Sequence, residues 1–186
     1  MLYKKGGLII QRHNEICDAI GDLTTLVWGR VLSESVVRDA SEDVDALIAD
    51  LGVRGVWQPQ SMVLFDIRIV DTDTRSHLTH SPVAVLASAE AEKKRKYCDA
   101  CSDRRATFTP LCFSVDGLVG EEANCFLRHL VRHLSVVWDR SFNEVLSWLR
   151  ARLAFALVRA TNVCIRGSRT QWWSLGMEDG AAIPFD

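Results

Sequence analysis

Met62-Val-Leu-Phe-Asp-Ile-Arg-Ile-Val-Asp-Thr-Asp73 is a short apolar run that carries acids on its surface. Phe65, Ile67 and Ile69 alternate toward one face while Asp66 and Arg68 share the other, the two-residue side-chain period of a strand. Immediately upstream, Val53 to Trp57 has the same character, and a turn around Pro59 separates the two runs, so the pair reads as a hairpin. Downstream, Ser81 is placed to cap a helix with Pro82 at its first position. That helix is expected to run through the charged cluster Glu90-Ala-Glu-Lys-Lys-Arg-Lys-Tyr97 toward Arg105. Phe108 to Val115 predicts another strand, closed by the turn signal Asp116-Gly117.

The flanks of this centre read as helices. From Asn14, the apolar positions Ile16, Ala19, Ile20, Leu23 and Val27 follow helical spacing, with Glu15, Asp18 and Asp22 opposite. A second, short helix is expected next, capped by Ser41, striped by Val44, Leu47, Ile48 and Leu51, and stopped by Gly52. After the last strand, Ala123, Phe126, Leu127, Leu130, Val131, Leu134 and Val137 form one apolar face, and Glu121 and Glu122 sit at the favourable helix start. Ser141-Phe-Asn-Glu144 matches a capping box, opening a helix with Val145, Leu146, Leu149, Leu153, Ala156 and Leu157 inward until Gly167. The expected order is helix, helix, strand, strand, helix, strand, helix, helix, a small mixed α/β sheet covered by helices on both sides. Residues 1–10 read as a flexible lead-in or the end of an upstream segment, 11–170 as one domain, and 171–186, including Trp172-Trp173, as an irregular tail.

Bulk properties narrow the function classes. With 186 residues and 48% hydrophobic content, the chain can bury one full core. A net charge of −2 means that any surface attractive to nucleic acid is local. No run approaches the roughly 18 to 20 apolar residues of a bilayer span, and the N-terminus has no apolar signal core, so an intracellular protein without membrane contact is expected. The cysteines Cys17, Cys98, Cys101, Cys112, Cys125 and Cys164 are scattered, several at apolar helix positions where a free thiol packs as a small hydrophobe. There is no Gly-rich phosphate loop, Gly-x-Ser-x-Gly elbow or dinucleotide fingerprint.

An acid-x-base pair on a strand, backed by a lysine-bearing helix, suits metal-dependent phosphodiester cleavage, which needs oxygen ligands for a divalent ion. Asp66 is the candidate ligand; its plain alternative is an exposed strand acid paired with a neighbouring arginine. Asp71 and Asp73 read as turn formers. Lys93 and Tyr97 stand one helical turn apart on the side shared with Leu86 and Ala100, so Lys93 is expected to face the sheet and a phosphate; a solvated lysine run is the alternative. Arg152, Arg159 and Arg166 recur every seven residues as a basic stripe. With Arg128, Arg132, Lys94 and Lys96 they are candidate contacts to backbone phosphates, against the alternative of pairing with acids such as Asp139 and Glu144. His129 and His133 have the spacing of a helical metal pair but no adjacent glutamate, and Cys98-Asp-Ala-Cys101 lacks a second pair, so neither is expected to bind zinc.

Five stretches resemble a known family. Gly6-Gly-Leu-Ile-Ile-Gln-Arg-His-Asn-Glu15, Leu64-Phe-Asp-Ile-Arg-Ile-Val-Asp-Thr-Asp73, Ala89-Glu-Ala-Glu-Lys-Lys-Arg-Lys-Tyr97, Phe108-Thr-Pro-Leu-Cys-Phe-Ser-Val-Asp-Gly117 and Arg150-Ala-Arg-Leu-Ala-Phe-Ala-Leu-Val-Arg-Ala-Thr161 resemble, in order and spacing, a domain found downstream of the reverse transcriptase in eukaryotic retrotransposon polyproteins. The resemblance covers about Gly6 to Phe185. That domain is similar to the restriction-endonuclease-like fold of the PD-(D/E)XK nucleases. The resemblance implies a three-layer core of helix, three strands, helix and strand with additional C-terminal helices, and Mg²⁺- or Mn²⁺-dependent cleavage of DNA.

In such a site Asp66 is the second-motif acid and a metal ligand, Glu15 assists from the first helix, and Arg68 stands where the family has lysine. Lys93, opening Lys93-x-x-x-Tyr97, resembles a lysine moved to the following helix, in the manner of the QxxxY element of related exonucleases. The first-motif aspartate is expected near the end of the preceding strand, where the chain has Trp57-Gln-Pro-Gln60. A glutamine there offers a carbonyl oxygen without charge, which lowers the expected affinity for a divalent ion. The implied partners are DNA and the reverse transcriptase portion of the same polyprotein, and action on chromosomal DNA implies the nucleus. The alternative is a nuclease-fold module without catalysis that binds nucleic acid or serves polyprotein assembly.

Overall fold

The structure, a computed structural model, describes residues 5–40, 45–77 and 79–168, the side chains of 5–9 and 163–168 excepted. The elements are α1 (Lys5–Trp28), β1 (Val31–Arg38), β2 (Leu47–Arg54), β3 (Met62–Val70), α2 (Pro82–Asp103), β4 (Ala106–Ser114), α3 (Glu121–Trp138) and α4 (Phe142–Ser168). The four strands form one mixed sheet in the order β1-β2-β3-β4. β1, β2 and β3 are antiparallel neighbours, and β4 lies parallel to β3 in continuous register from Met62↔Ala106 to Val70↔Ser114. The connection between the two parallel strands is α2, as a parallel pair requires.

Strand parity divides the core into two layers. Val63, Phe65 and Ile67 of β3, with Leu111 and Phe113 of β4, pack against α1, α3 and α4. Leu64 and Val70 of β3 and Cys112 of β4 face the other way, toward Val85, Leu86, Ala89, Tyr97 and Cys101 of α2. The result is helices on both faces of a mixed sheet. Among the described residues, no helix is long and apolar enough to cross a membrane.

Most elements form where the pattern predicts. Ser81 caps α2, its Oγ accepting from Ala84 N at 3.3 Å, with Pro82 first in the helix. The capping box closes α4 in both directions: Glu144 Oε2 accepts from Ser141 N at 3.0 Å and Ser141 Oγ accepts from Glu144 N at 3.4 Å. The apolar face of α3 is buried from Ala123 to Leu134.

Three expectations are corrected. α1 begins at Lys5, so residues 5–10 of the expected lead-in are helical despite Gly6 and Gly7. The short helix expected over Leu47 and Leu51 is instead β2, and Val31–Arg38, to which the pattern assigns no element, is the edge strand β1. The cause is local. Leu47, Ala49, Leu51 and Val53 keep a strand's two-residue alternation, Leu47 and Ala49 packing toward α2 and Leu51 and Val53 toward α1 and α3, but the exposed apolar Ile48 completes with Leu47 and Leu51 a spacing that also fits a helix. Opposite Asp50 the β1–β2 pairing passes from Ser33↔Leu51 to Ser35↔Ala49 across Glu34, whose φ is 50°. β1 itself buries only Val37 fully and exposes a polar centre, as an edge strand does. Ser41 to Val44 and residues 169–186, with Trp172 and Trp173, lie outside the described residues.

Phe126 is fully buried at the junction of α3 and the sheet, its ring 4.6 Å from that of Phe65. Phe126→Ala is expected to lower unfolding stability by about 3–5 kcal/mol. Val136→Ala, on the 82% exposed side of the same helix, is expected to stay within about 0.5 kcal/mol. Urea unfolding of the two variants checks the difference.

Candidate active site

β2 and β3 pair from Arg54↔Met62 to Leu51↔Phe65. One further step would set Asp50 against Asp66, two like charges directly opposed, and the ladder stops there. Side chains take over where backbone pairing ends. Asp50 Oδ2 accepts from Ile67 N at 2.5 Å, and the Tyr97 hydroxyl, reaching in from α2, donates to the Ile48 carbonyl at 2.9 Å. The parting of the strands is thus closed by a carboxylate on one side and a phenol on the other.

Asp66 is at the centre of the opening and only 5% exposed. Its Oδ1 accepts from the Tyr97 hydroxyl at 2.6 Å, the shorter arm of a three-centre bond in which the one phenol proton is shared with the Ile48 carbonyl. Its Oδ2 lies 2.5 Å from Lys93 Nζ, but outside hydrogen-bond geometry, and has no other partner. Lys93 and Tyr97 reach the same carboxylate because they stand one turn apart on α2. Tyr97 is fixed in place by Phe108, stacked at 4.6 Å and 2°. Burial, and then the bond to Asp66, push the Tyr97 hydroxyl well above its ordinary pKa, so it remains a donor.

On the other flank His13 Nε2 stands 3.0 Å from Asp50 Oδ1, and Cys17 Sγ is 3.3 Å from the same nitrogen. The hydrogen bond to Asp50 raises the His13 pKa against the opposing effect of burial. Burial, followed by the charges of Asp50, Asp18 and Asp66, raises that of Cys17.

The expected site residues are distributed unevenly. Asp66, Lys93 and Tyr97 meet. Arg68 shares the face of Asp66 but is bound to Glu92 at 2.6 Å in an exposed pair. Glu15 points to α4, where its Oε2 accepts from Arg159 Nε at 3.0 Å. Arg152 is 3.6 Å from Asp22 and lies over the Trp148 ring, so both arginines pair with acids of α1 rather than with Asp139 or Glu144. Lys94 pairs with Glu122, Lys96 is exposed above the Tyr97 ring, and the side chain of Arg166 lies outside the described residues. His129 Nε2 is 2.8 Å from the Val56 carbonyl, to which it donates, and its ring stacks on Trp28 with His133 edge-on, an aromatic cluster rather than a metal pair. Cys101 and Cys112 are buried, and burial lifts their thiols to about 11 and about 12.

Trp57-Gln-Pro-Gln60 is not beside Asp66. It forms the hairpin turn at the opposite end of the β2–β3 ladder, where Gln58 O accepts from Ser61 N at 3.1 Å and Gln60 has φ 69°. The acid that the preceding strand sets at the level of Asp66, one step past the last pair Leu51↔Phe65, is Asp50, which the helix-like spacing of Leu47, Ile48 and Leu51 conceals. A signal for it exists in the sequence all the same: a hairpin that turns about residue 58 sets 50 across from 66.

No protein-family model matches the chain, and no curated protein is similar to it in sequence.

Asp66 Oδ2 is buried and lacks a hydrogen bond, its one neighbour being the Lys93 ammonium. Tyr97→Phe, which unpairs the Ile48 carbonyl and one oxygen of Asp66, is expected to cost about 1–3 kcal/mol in chemical unfolding. Lys93→Ala should cost more than Arg68→Ala, because the Lys93 partner is buried, whereas the exposed Arg68–Glu92 pair is worth only about 0–1 kcal/mol.

Proposed function

We propose that the chain is a nuclease-like domain of the restriction-endonuclease-like type, derived from a retroelement, that cleaves DNA phosphodiesters with Mg²⁺ or Mn²⁺. The observation that carries this reading is the buried Asp66 met by Lys93 where β2 and β3 part, with Asp50 one step past the last pair of the ladder and bound to the Ile67 amide next to Asp66. The element order from α1 to β4, helix, three strands, helix and strand, agrees with what the sequence resemblance implies. The two supports are independent, since one is topology and the other side-chain placement.

Asp50 and Asp66 would hold the ion, which supplies neutralisation of the scissile phosphate and a lowered pKa for an attacking water. Tyr97 holds the Asp66 carboxylate in one orientation through Oδ1, and buried Oδ2 faces Lys93 Nζ. Lys93 Nζ, on the same oxygen, is placed to meet the negative charge that builds on a phosphate during displacement. Asp50 takes the part in which Glu15 is expected to assist, because Glu15 is drawn to Arg159. Exposed Arg95 and Lys96 on α2 remain for DNA backbone contacts, with Arg152 and Arg159 available only in exchange for their acids on α1.

A second reading, a module of this fold that binds nucleic acid or the reverse transcriptase portion of a polyprotein without catalysis, is favoured by one detail: Lys93 Nζ stands 2.5 Å from Asp66 Oδ2, a position of positive charge that an ion would contest.

Nicking of supercoiled plasmid separates the two. The catalytic reading expects Mg²⁺- or Mn²⁺-dependent nicking that falls by about a hundredfold or more in Asp50→Ala, Asp66→Ala and Lys93→Ala, and little change in Glu15→Ala. Absence of divalent-dependent nicking in the unaltered chain overturns it. DNA binding that weakens steeply with salt and needs no divalent ion then leaves the second reading standing.

A further inference from the structure

The helix side of Asp50 carries chemistry that hydrolysis with a hard ion does not use. His13 and Cys17 lie one turn apart on α1 and present Nε2 and Sγ to Asp50 Oδ1, and the three donor atoms all lie within 4.8 Å of one another. Among the described residues this is the group of three such side chains that meets that spacing. Two of its edges are already short: 3.0 Å between nitrogen and oxygen and 3.3 Å between sulfur and nitrogen. Bond lengths of about 2.0–2.3 Å around a tetrahedral zinc put neighbouring donors roughly 3.3–3.6 Å apart. Closing the group on an ion therefore asks for little more than side-chain rotation.

The donors are also held and accessible. Asp50 is anchored through its other oxygen to Ile67 N, so Oδ1 has a fixed direction. The group opens on a cavity of about 450 Å³, lined among others by Asn14, Asp18 and Glu34. His13 and Asp50 retain 31% and 23% side-chain exposure, enough for an ion to enter. Asp18 and Glu34 give the entrance negative charge. Three protein ligands and an open fourth position for water are the composition of an accessible zinc site.

We infer that His13, Cys17 and Asp50 form a binding site for a thiophilic transition-metal ion of the Zn²⁺ class, separate in chemistry from the hard-ion site of Asp50 and Asp66. Thiolate and imidazole select such ions over Mg²⁺. On binding, the Cys17 thiol releases its proton to solvent and sulfur bonds to the metal, His13 binds through neutral Nε2, and Asp50 Oδ1 exchanges its contact with His13 for one with the ion. Because Asp50 is common to both sites, an ion here removes a ligand from the other, so Zn²⁺ acts as an inhibitor of Mg²⁺-dependent cleavage. The inhibition rests on the nuclease reading; the site does not.

Cobalt(II) is the probe, added to the metal-free full chain. One equivalent is expected to give a near-ultraviolet thiolate-to-cobalt charge-transfer band that Zn²⁺ abolishes by displacement. The band is expected to disappear in Cys17→Ser, to require at least about tenfold more cobalt in His13→Ala, the scale of even an outer-shell loss, and to persist in Asp66→Asn. No band, or a band undiminished in Cys17→Ser, overturns the site, the latter because another cysteine would be the ligand. Should Cys17→Ser not fold, alkylation of the unaltered chain, mapped to peptides, decides the matter: Zn²⁺ protects Cys17 and leaves exposed Cys98 reactive, and equal reactivity of Cys17 with and without Zn²⁺ overturns the site. Neither readout involves DNA, so the site stands or falls apart from nicking. Where Mg²⁺-dependent nicking is present, its suppression by Zn²⁺ is expected in the unaltered chain and not in Cys17→Ser; equal suppression in both overturns the inhibitory role.

Discussion

The hydroxyl of Tyr97 joins three parts of the molecule at one atom. Its one proton is shared between Asp66 of β3, at the shorter distance, and the Ile48 carbonyl of β2, while its own backbone belongs to α2. A buried carboxylate with no such donor would carry a desolvation cost of several kcal/mol, and the two strands could not part without leaving backbone groups unpaired. Tyr97 and Lys93 between them meet the first demand, and Tyr97 with Asp50 meets the second. The position of α2 on its face of the sheet, the gap between β2 and β3, and the burial of Asp66 therefore depend on one another. Removing one leaves the others unsatisfied rather than merely less well packed.

Opposed charges explain why the sheet opens at this place. Up to Leu51↔Phe65 the β2–β3 ladder matches apolar residues across the core face, and each added pair gains burial. The next pair would be two carboxylates. Parting them and giving each a different cationic or donor neighbour, His13 and Ile67 N for Asp50, Lys93 and Tyr97 for Asp66, replaces a repulsion by four attractive contacts. The cost is borne by β2, which changes face at Asp50, and by β1, where Glu34 takes a positive φ. Such local departures from regular geometry are where functional groups tend to lie.

That same departure limits what is legible in the sequence. Long helices with a single buried face, α3 above all, are readable because their period runs uninterrupted for several turns. β3 and β4 are readable because β-branched and aromatic residues alternate or cluster within them. The α2 pair Lys93 and Tyr97 is readable because one-turn spacing needs no tertiary information. β2 is not. Its alternating Leu47, Ala49, Leu51 and Val53 are overwritten by exposed Ile48, which with Leu47 and Leu51 makes intervals that fit a helix, and with the strand its acid is lost from view. β1 carries Ser33, Glu34 and Ser35 at its centre, a composition that marks a strand only when a neighbour is present to pair with it. The partners Glu15 and Arg159 lie 144 residues apart, and helix projection shows which side a residue takes but not which helix faces it.

Asp50 is therefore the residue on which both the proposed chemistry and its control converge. One oxygen is committed to Ile67 N and so to the opening of the sheet; the other is shared with His13. On the proposed reading, a hard ion between Asp50 and Asp66 would leave His13 and Cys17 without their carboxylate, and a thiophilic ion on His13 and Cys17 would draw the carboxylate the opposite way. Thermodynamic linkage makes this symmetrical: whatever factor one ion imposes on the affinity for the other is returned in equal measure. Lys93 adds a third competitor on the Asp66 side, since an arriving cation must displace its Nζ from Oδ2 or share the carboxylate with it. Substrate phosphate would ease that contest by giving Lys93 another anion to hold. Occupancy by a hard ion should thus be coupled to the presence of DNA, because the phosphate draws away the charge that otherwise keeps the ion out.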